Sequence, residues 1–167
     1  MAAMEADVVD KSEYSSDSFT DDDDDDAPPS TVTRRAYWAW AEPTVRTTSV
    51  NTGKWMIFED AKRHDELWTV IRNAVRDGTL YCAKAGTEYG RRMNDKETFV
   101  LILYVPDSDD IPSVRRVLEF IRSLGVTRAL YYKTDRATRD GRYGAGSWLY
   151  TSPSGNCIKD EFGTVVD

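Results

Sequence analysis

Two cysteines, one histidine and no apolar run long enough to cross a bilayer remove several function classes from this 167-residue chain. Cys82 and Cys157 are too few for the disulfide framework of a small secreted domain and stand at no metal-binding spacing. Cys82 lies in an apolar segment, where a small buried hydrophobe is expected. No Ser/His/Asp order surrounds a nucleophile elbow, and the glycine-rich stretch 141–146 has no Walker pattern. Neither a metal nor a cofactor is expected. The N-terminal stretch is acidic, unlike a basic signal region, and nothing approaches the ~20 apolar residues of a spanning helix. These absences predict an intracellular, reducing location, cytoplasmic and/or nuclear, with no membrane partner. Oligomeric state is left open.

The charge is unevenly distributed. The net charge is −7, yet residues 1–30 hold 11 acids, six of them in the run 21–26, against Lys11 alone. The rest of the chain keeps 18 acids and 21 bases, so the prospective folded part is mildly basic. Residues 1–33 lack sustained periodicity and are predicted to be a disordered acidic tail. Ser18 and Thr20 each have an aspartate three positions on, the pattern of an acid-directed kinase site. Residues 34–167 are predicted to form one globular domain.

Within that domain, Trp38 and Trp40 alternate with small residues, as a first strand or as an aromatic anchor across the core. Two strand–helix–strand units follow. The first is a strand over 53–58, an amphipathic helix over 60–77 stopped by Gly78, and a strand over 79–84 ending at Lys84. The second is the apolar strand 98–105 and a helix capped by Asp110 with Pro112 in its first turn. It closes with a Gly125 stop and a strand over 127–133 ending at Lys133. Residues 86–96 are expected to be a mobile polar loop and 134–146 an Arg/Gly-rich binding loop, with short closing strands near 147–151 and 156–158. The fold class predicted is α+β: a mainly antiparallel or mixed, curved sheet with two or more helices on one face.

A lysine at a strand end is rigidly placed, and Lys54, Lys84 and Lys133 beside Arg91, Arg92, Arg136 and Arg139 can form an anion site. The expected partner is a phosphorylated protein or peptide. If burial and neighbouring cations lower its proton affinity, Lys84 could also act as a base, removing a proton while those cations hold phosphate as leaving group. The competing expectation is RNA or a nucleotide, stacked on some of the five tryptophans beside basic residues.

Over residues 53 to about 143 the chain resembles the phosphothreonine lyases, bacterial effectors that remove phosphate from kinase activation loops by elimination. Through GKWMIF, Cys82-Ala83-Lys84, LYVPD and YYKTD it also resembles the eukaryotic basophilic-leukaemia-expressed proteins, also described as phosphothreonine lyase domain proteins. Their fold has been likened to that of the cap-binding translation initiation factor. The resemblance places a lyase Asp-Lys-Phe-His strand on Gly53-Lys54-Trp55-Met56, which makes Lys54 a phosphate contact. It implies Lys84 as the catalytic base and Tyr104, in Leu103-Tyr104-Val105-Pro106-Asp107, as the active-site tyrosine. Arg91 or Arg92, and Lys133 with Arg136 or Arg139, complete the phosphate contacts. Met56 stands where the lyases carry their general-acid histidine. His64, on the first helix, is expected to be exposed.

Overall fold

The computed structural model describes residues 26–47, 49–144 and 146–167. Its centre is a seven-stranded sheet in the order β1-β3-β4-β2-β5-β6-β7, antiparallel at every pairing. The strands are β1 (Trp38–Ala41), β2 (Gly53–Glu59), β3 (Cys82–Gly86), β4 (Phe99–Val105), β5 (Leu130–Thr134), β6 (Tyr150–Ser152) and β7 (Lys159–Asp160). Helix α1 (Ala61–Arg76) joins β2 to β3, and α3 (Ile111–Ser123) joins β4 to β5. Each crossover steps over one strand, and that gap is filled by a strand of the other unit. Two split β-α-β units therefore interleave into a wholly antiparallel centre.

Local chemistry sets the ends of both long helices. Asp60 caps α1 by accepting from the Arg63 N–H at 2.9 Å, and Asp110 does the same for α3 toward Ser113. Gly78 and Gly125 follow the two helices with φ of 84°, where any side chain would be strained. The apolar stripes Leu67, Trp68, Ile71, Val75 and Val114, Leu118, Ile121 close onto one face of the sheet. There they meet Trp55 and Ile57 of β2 and Leu101, Leu103 and Val105 of β4. Trp55 is fully buried and its indole N–H donates to the Val114 carbonyl at 3.0 Å, tying β2 to α3.

Two expected loops contain helices. Helix α2 (Glu88–Met93) occupies the middle of 86–96, and α4 (Asp135–Arg139) opens 134–146. Each begins at a threonine next to a strand end whose hydroxyl accepts a backbone N–H: Thr87 from Gly90 at 3.0 Å and Thr134 from Ala137 at 3.1 Å. Gly90 is glycine because a Cβ there would stand 2.5 Å from the Tyr37 carbonyl oxygen.

Residues 1–25, with Ser18 and Thr20, lie outside the described residues. Residues 26–33, grouped with the tail by composition, hold to α1. Asp26 lies 3.0 Å from the Arg72 guanidinium, and a short 3-10 helix at Pro29–Thr31 lets Ser30 N–H donate to Asp65 at 3.0 Å.

Candidate functional site

Side chains alternate across a strand, so the register that sends Trp55, Leu103 and Ala83 toward the helices sends their neighbours to the opposite face. On that opposite face two adjacent rows cross the sheet. One row runs Lys133–Lys54–Tyr104–Cys82, and the next runs Tyr131–Met56–Ile102–Lys84–Trp40. The three strand lysines, Tyr104 and Met56 thus share one surface although they come from four strands. Neighbouring strands are ~4.8 Å apart, so the row from Lys133 to Cys82 spans about 14 Å.

All three lysines are buried, with exposures of 3% for Lys54, 2% for Lys84 and 1% for Lys133. Lys54 and Lys133 stand directly opposite each other on β2 and β5, a placement of like charges that costs stability unless anions compensate. Asp135, the first residue of α4, lies 3.2 Å from the Lys54 ammonium. It is held there by the Thr52 hydroxyl, which donates to its other oxygen at 2.5 Å. Aromatic rings also approach all three ammonium groups. The Lys84 ammonium is 4.1 Å from the Trp38 ring centre, 4.9 Å from Trp40 and 5.9 Å from Tyr104. Lys54 approaches the same Tyr104 ring at 5.9 Å, and Lys133 sits 4.1 Å from the Tyr143 ring. Ring faces attract ammonium ions and fix their positions.

The arginines divide. Arg136 and Arg139 are exposed on α4, which begins two residues after Lys133, at the edge of the lysine face. Arg136 lines a cleft of about 560 Å³ together with Thr134, Arg142 and Trp148. Arg91 and Arg92 are not brought to the lysines. Both grip Glu88, at 2.6 Å and 2.7 Å, and Arg91 leans on Phe99, whose ring packs 4.9 Å from His64 on the helix-covered side. The Arg91 guanidinium above all, then Arg92, holds the Glu88 carboxyl down to about 2.

His64 is buried, not exposed. At 0% exposure it donates from Nε2 to the Gly86 carbonyl at 2.8 Å, and its Nδ1 has no hydrogen-bond partner among the described residues. Leu67, Trp68, Ile71 and Val75 follow His64 at i+3, i+4, i+7 and i+11, which makes the histidine part of the core face. It cannot supply the proton that Met56 lacks, because the sheet lies between them. Burial pushes the imidazole pKa down to about 4. Protonation near pH 6.5 is therefore open to the unfolded chain and denied to the folded one. Stability should be complete above pH 6.5 and fall by roughly 1.4 kcal/mol per pH unit down to about pH 4. Urea titrations at pH 7 and pH 5 should differ by about 2 kcal/mol, and His64→Gln should remove most of that difference. An unchanged midpoint at pH 5 would contradict this assignment, since the chain has no other histidine.

Cys82 shares the lysine face, but burial pushes its thiol up to about 12, which leaves it inert near neutrality. Among the described residues no cluster of His, Cys, Asp or Glu could hold a metal ion, and no helix is long and apolar enough to cross a membrane. Two contributors to the site escaped sequence reasoning, Asp135 and Tyr143. Asp135 carried a signal, since it ends the YYKTD motif immediately after the β5 lysine. Tyr143 carried none, because its place over Lys133 is set by the loop that follows α4.

No curated protein matches the chain. Residues 34–139 match a protein family described as basophilic leukemia-expressed protein Bles03, and the matched span takes in all three lysines, Tyr104, α2 and α4. On that match, which covers more than half of the sequence, the chain belongs to the Bles03 family.

Proposed function

We propose that the lysine face binds the phosphate of a phosphorylated protein segment and holds it without turnover. The observation that carries this reading is the convergence of Lys54, Lys84 and Lys133 on one buried sheet surface. Ammonium groups fixed by rings and strand ends are preorganised donors to a phosphate dianion, and such charge-assisted bonds are the strong ones. Arg136 and Arg139 supply exposed cations at the rim, suited to the acidic surroundings of a phosphosite. Elimination would need Lys84 as base, Tyr104 beside it and an acid to protonate the leaving group. Met56, in the row beside Lys54 and Tyr104, has no proton to give, and loss of a general acid removes about 10²–10⁴-fold of rate.

A second reading rests on a separate observation. Trp40 is 43% exposed, and its ring lies within 9° of parallel to Tyr104 at 6.3 Å. Such an exposed ring beside lysines would stack a base of capped or single-stranded RNA. Competition decides between the two: displacement of a bound phosphothreonine peptide by phosphoserine peptide but not by cap analogue supports the first.

A further inference from the structure

We propose that copies of this chain associate head to tail, with the Phe162 hairpin tip of one entering a groove beside α3 of the next. The contact uses none of the three lysines. Phe162 is 84% exposed, yet the turn that carries it is fixed. The Asp160 carboxylate accepts the backbone N–H groups of Phe162 at 3.0 Å and Thr164 at 2.8 Å. Below the turn, Lys159 of β7 bridges Val165, and the Val166 N–H donates to the Ile158 carbonyl at 2.9 Å. Ile158 is fully buried, and Arg115 of α3 donates to the carbonyls of Asn156 at 3.1 Å and Val166 at 2.7 Å. Single exposed apolar side chains are common, but one presented on a rigid stem loses little freedom when it docks. Glu161, exposed beside it, and Asp160 make the tip aromatic and acidic.

The groove has the opposite character. A cleft of about 590 Å³ opens between the turn that follows α1, the end of β4 and one flank of α3. Leu80, Val105, Val117 and Phe120 give it an apolar lining, and among the described residues that line it Arg116 alone is charged. The Arg116 guanidinium is steadied by donating to the Ser113 hydroxyl at 2.6 Å. An apolar cleft with one cation complements an aromatic tip with neighbouring acids. Helix geometry decides that the two must come from different copies. Ser113, Arg116 and Phe120, spaced i, i+3 and i+7, share the flank of α3 that lines the groove. Arg115 and Arg122, which hold residues 155, 156 and 166, lie on the other flank. The helix therefore stands between a chain's own tip and its own groove. Tip and groove are also different surfaces, so each pair leaves one of each unfilled and the contact can continue to a third copy.

The test is sedimentation velocity of the full chain over a concentration series reaching the millimolar range, since a contact built on a single anchor is weak. The average mass should rise with concentration and pass that of a dimer. Phe162→Ser, which spoils the tip, and Arg116→Glu, which spoils the groove, both change exposed positions. Each should weaken association about 10–100-fold, the effect of losing one buried aromatic anchor or its charge partner. An equimolar mixture of the two variants should form dimers and stop there. In that mixture the intact tip belongs to the Arg116→Glu chain and the intact groove to the Phe162→Ser chain, so one productive contact is possible. A full chain that stays monomeric throughout, or that stops at a dimer, would overturn the proposal. So would association unchanged by either substitution, or a mixture no heavier than the two variants measured separately.

Discussion

Replacing Lys84 and Lys133 together by methionine is expected to weaken phosphothreonine-peptide binding by about 10²–10⁴-fold. Each lysine contributes one charge-assisted contact to the phosphate, worth about 1.5–3 kcal/mol, and tenfold in affinity corresponds to 1.4 kcal/mol. Methionine is chosen because it nearly conserves volume at two positions that are 2% and 1% exposed. Lys54 is left in place because its removal would strand Asp135 beside the sheet. The double variant should keep a cooperative urea transition while losing the ligand. Isothermal titration of both proteins with the same peptide checks the prediction. Affinity within threefold of the parent would mean that the phosphate, if bound at all, is bound elsewhere.

The largest effect on stability is expected from Trp55→Ala, at about 3–5 kcal/mol. Trp55 is fully buried, meets Tyr132 edge-on at 5.3 Å and donates to the Val114 carbonyl. Its removal opens a cavity between β2 and α3 and leaves that carbonyl without the indole donor. Trp55→Phe should cost less, since most of the ring volume remains and chiefly the hydrogen bond, about 1 kcal/mol, is lost. Thermal denaturation should place the two variants in that order, with Trp55→Ala lowered by on the order of 10 °C. Because Lys54 and Met56 flank Trp55 on β2, the alanine variant should also bind phosphopeptide more weakly through disorder of the strand. Equal stability of the two variants would contradict the placement of Trp55 at the β2–α3 contact.

The interleaved units were legible because their signals are local. Alternation or apolar runs marked the strands, 3.6-residue stripes marked α1 and α3, and Gly78 and Gly125 marked their ends. The expected strands at 79–84 and 127–133 begin at residues 82 and 130 in the fold. There Thr79 and Arg128 belong to turns that strand composition does not exclude. Helices α2 and α4 were hidden by arginine and glycine content, yet both start at a threonine followed by an acid, a cap signal that composition alone overrides. His64 was misjudged because a lone polar residue on a helix is ordinarily solvated. Its burial depends on the Gly86 carbonyl from a different element, which no periodicity reveals.

The lysine face shows the same division. Each strand-end lysine was visible by itself. That all three share a surface follows from strand order and register, which put Lys54 opposite Lys133 and Tyr104 opposite both Lys54 and Cys82. The separation of Arg91 and Arg92 from that surface likewise follows from α2, where Glu88 claims both guanidiniums.

The most direct test of the account is a titration of the full chain with a phosphothreonine peptide and its unphosphorylated counterpart, followed by intact-mass analysis of the recovered peptide. The account predicts saturable binding that requires the phosphate, and a peptide recovered with its mass unchanged. Equal binding of both peptides would contradict phosphate recognition by the lysine face, and a product lighter by one phosphoric acid would contradict binding without turnover.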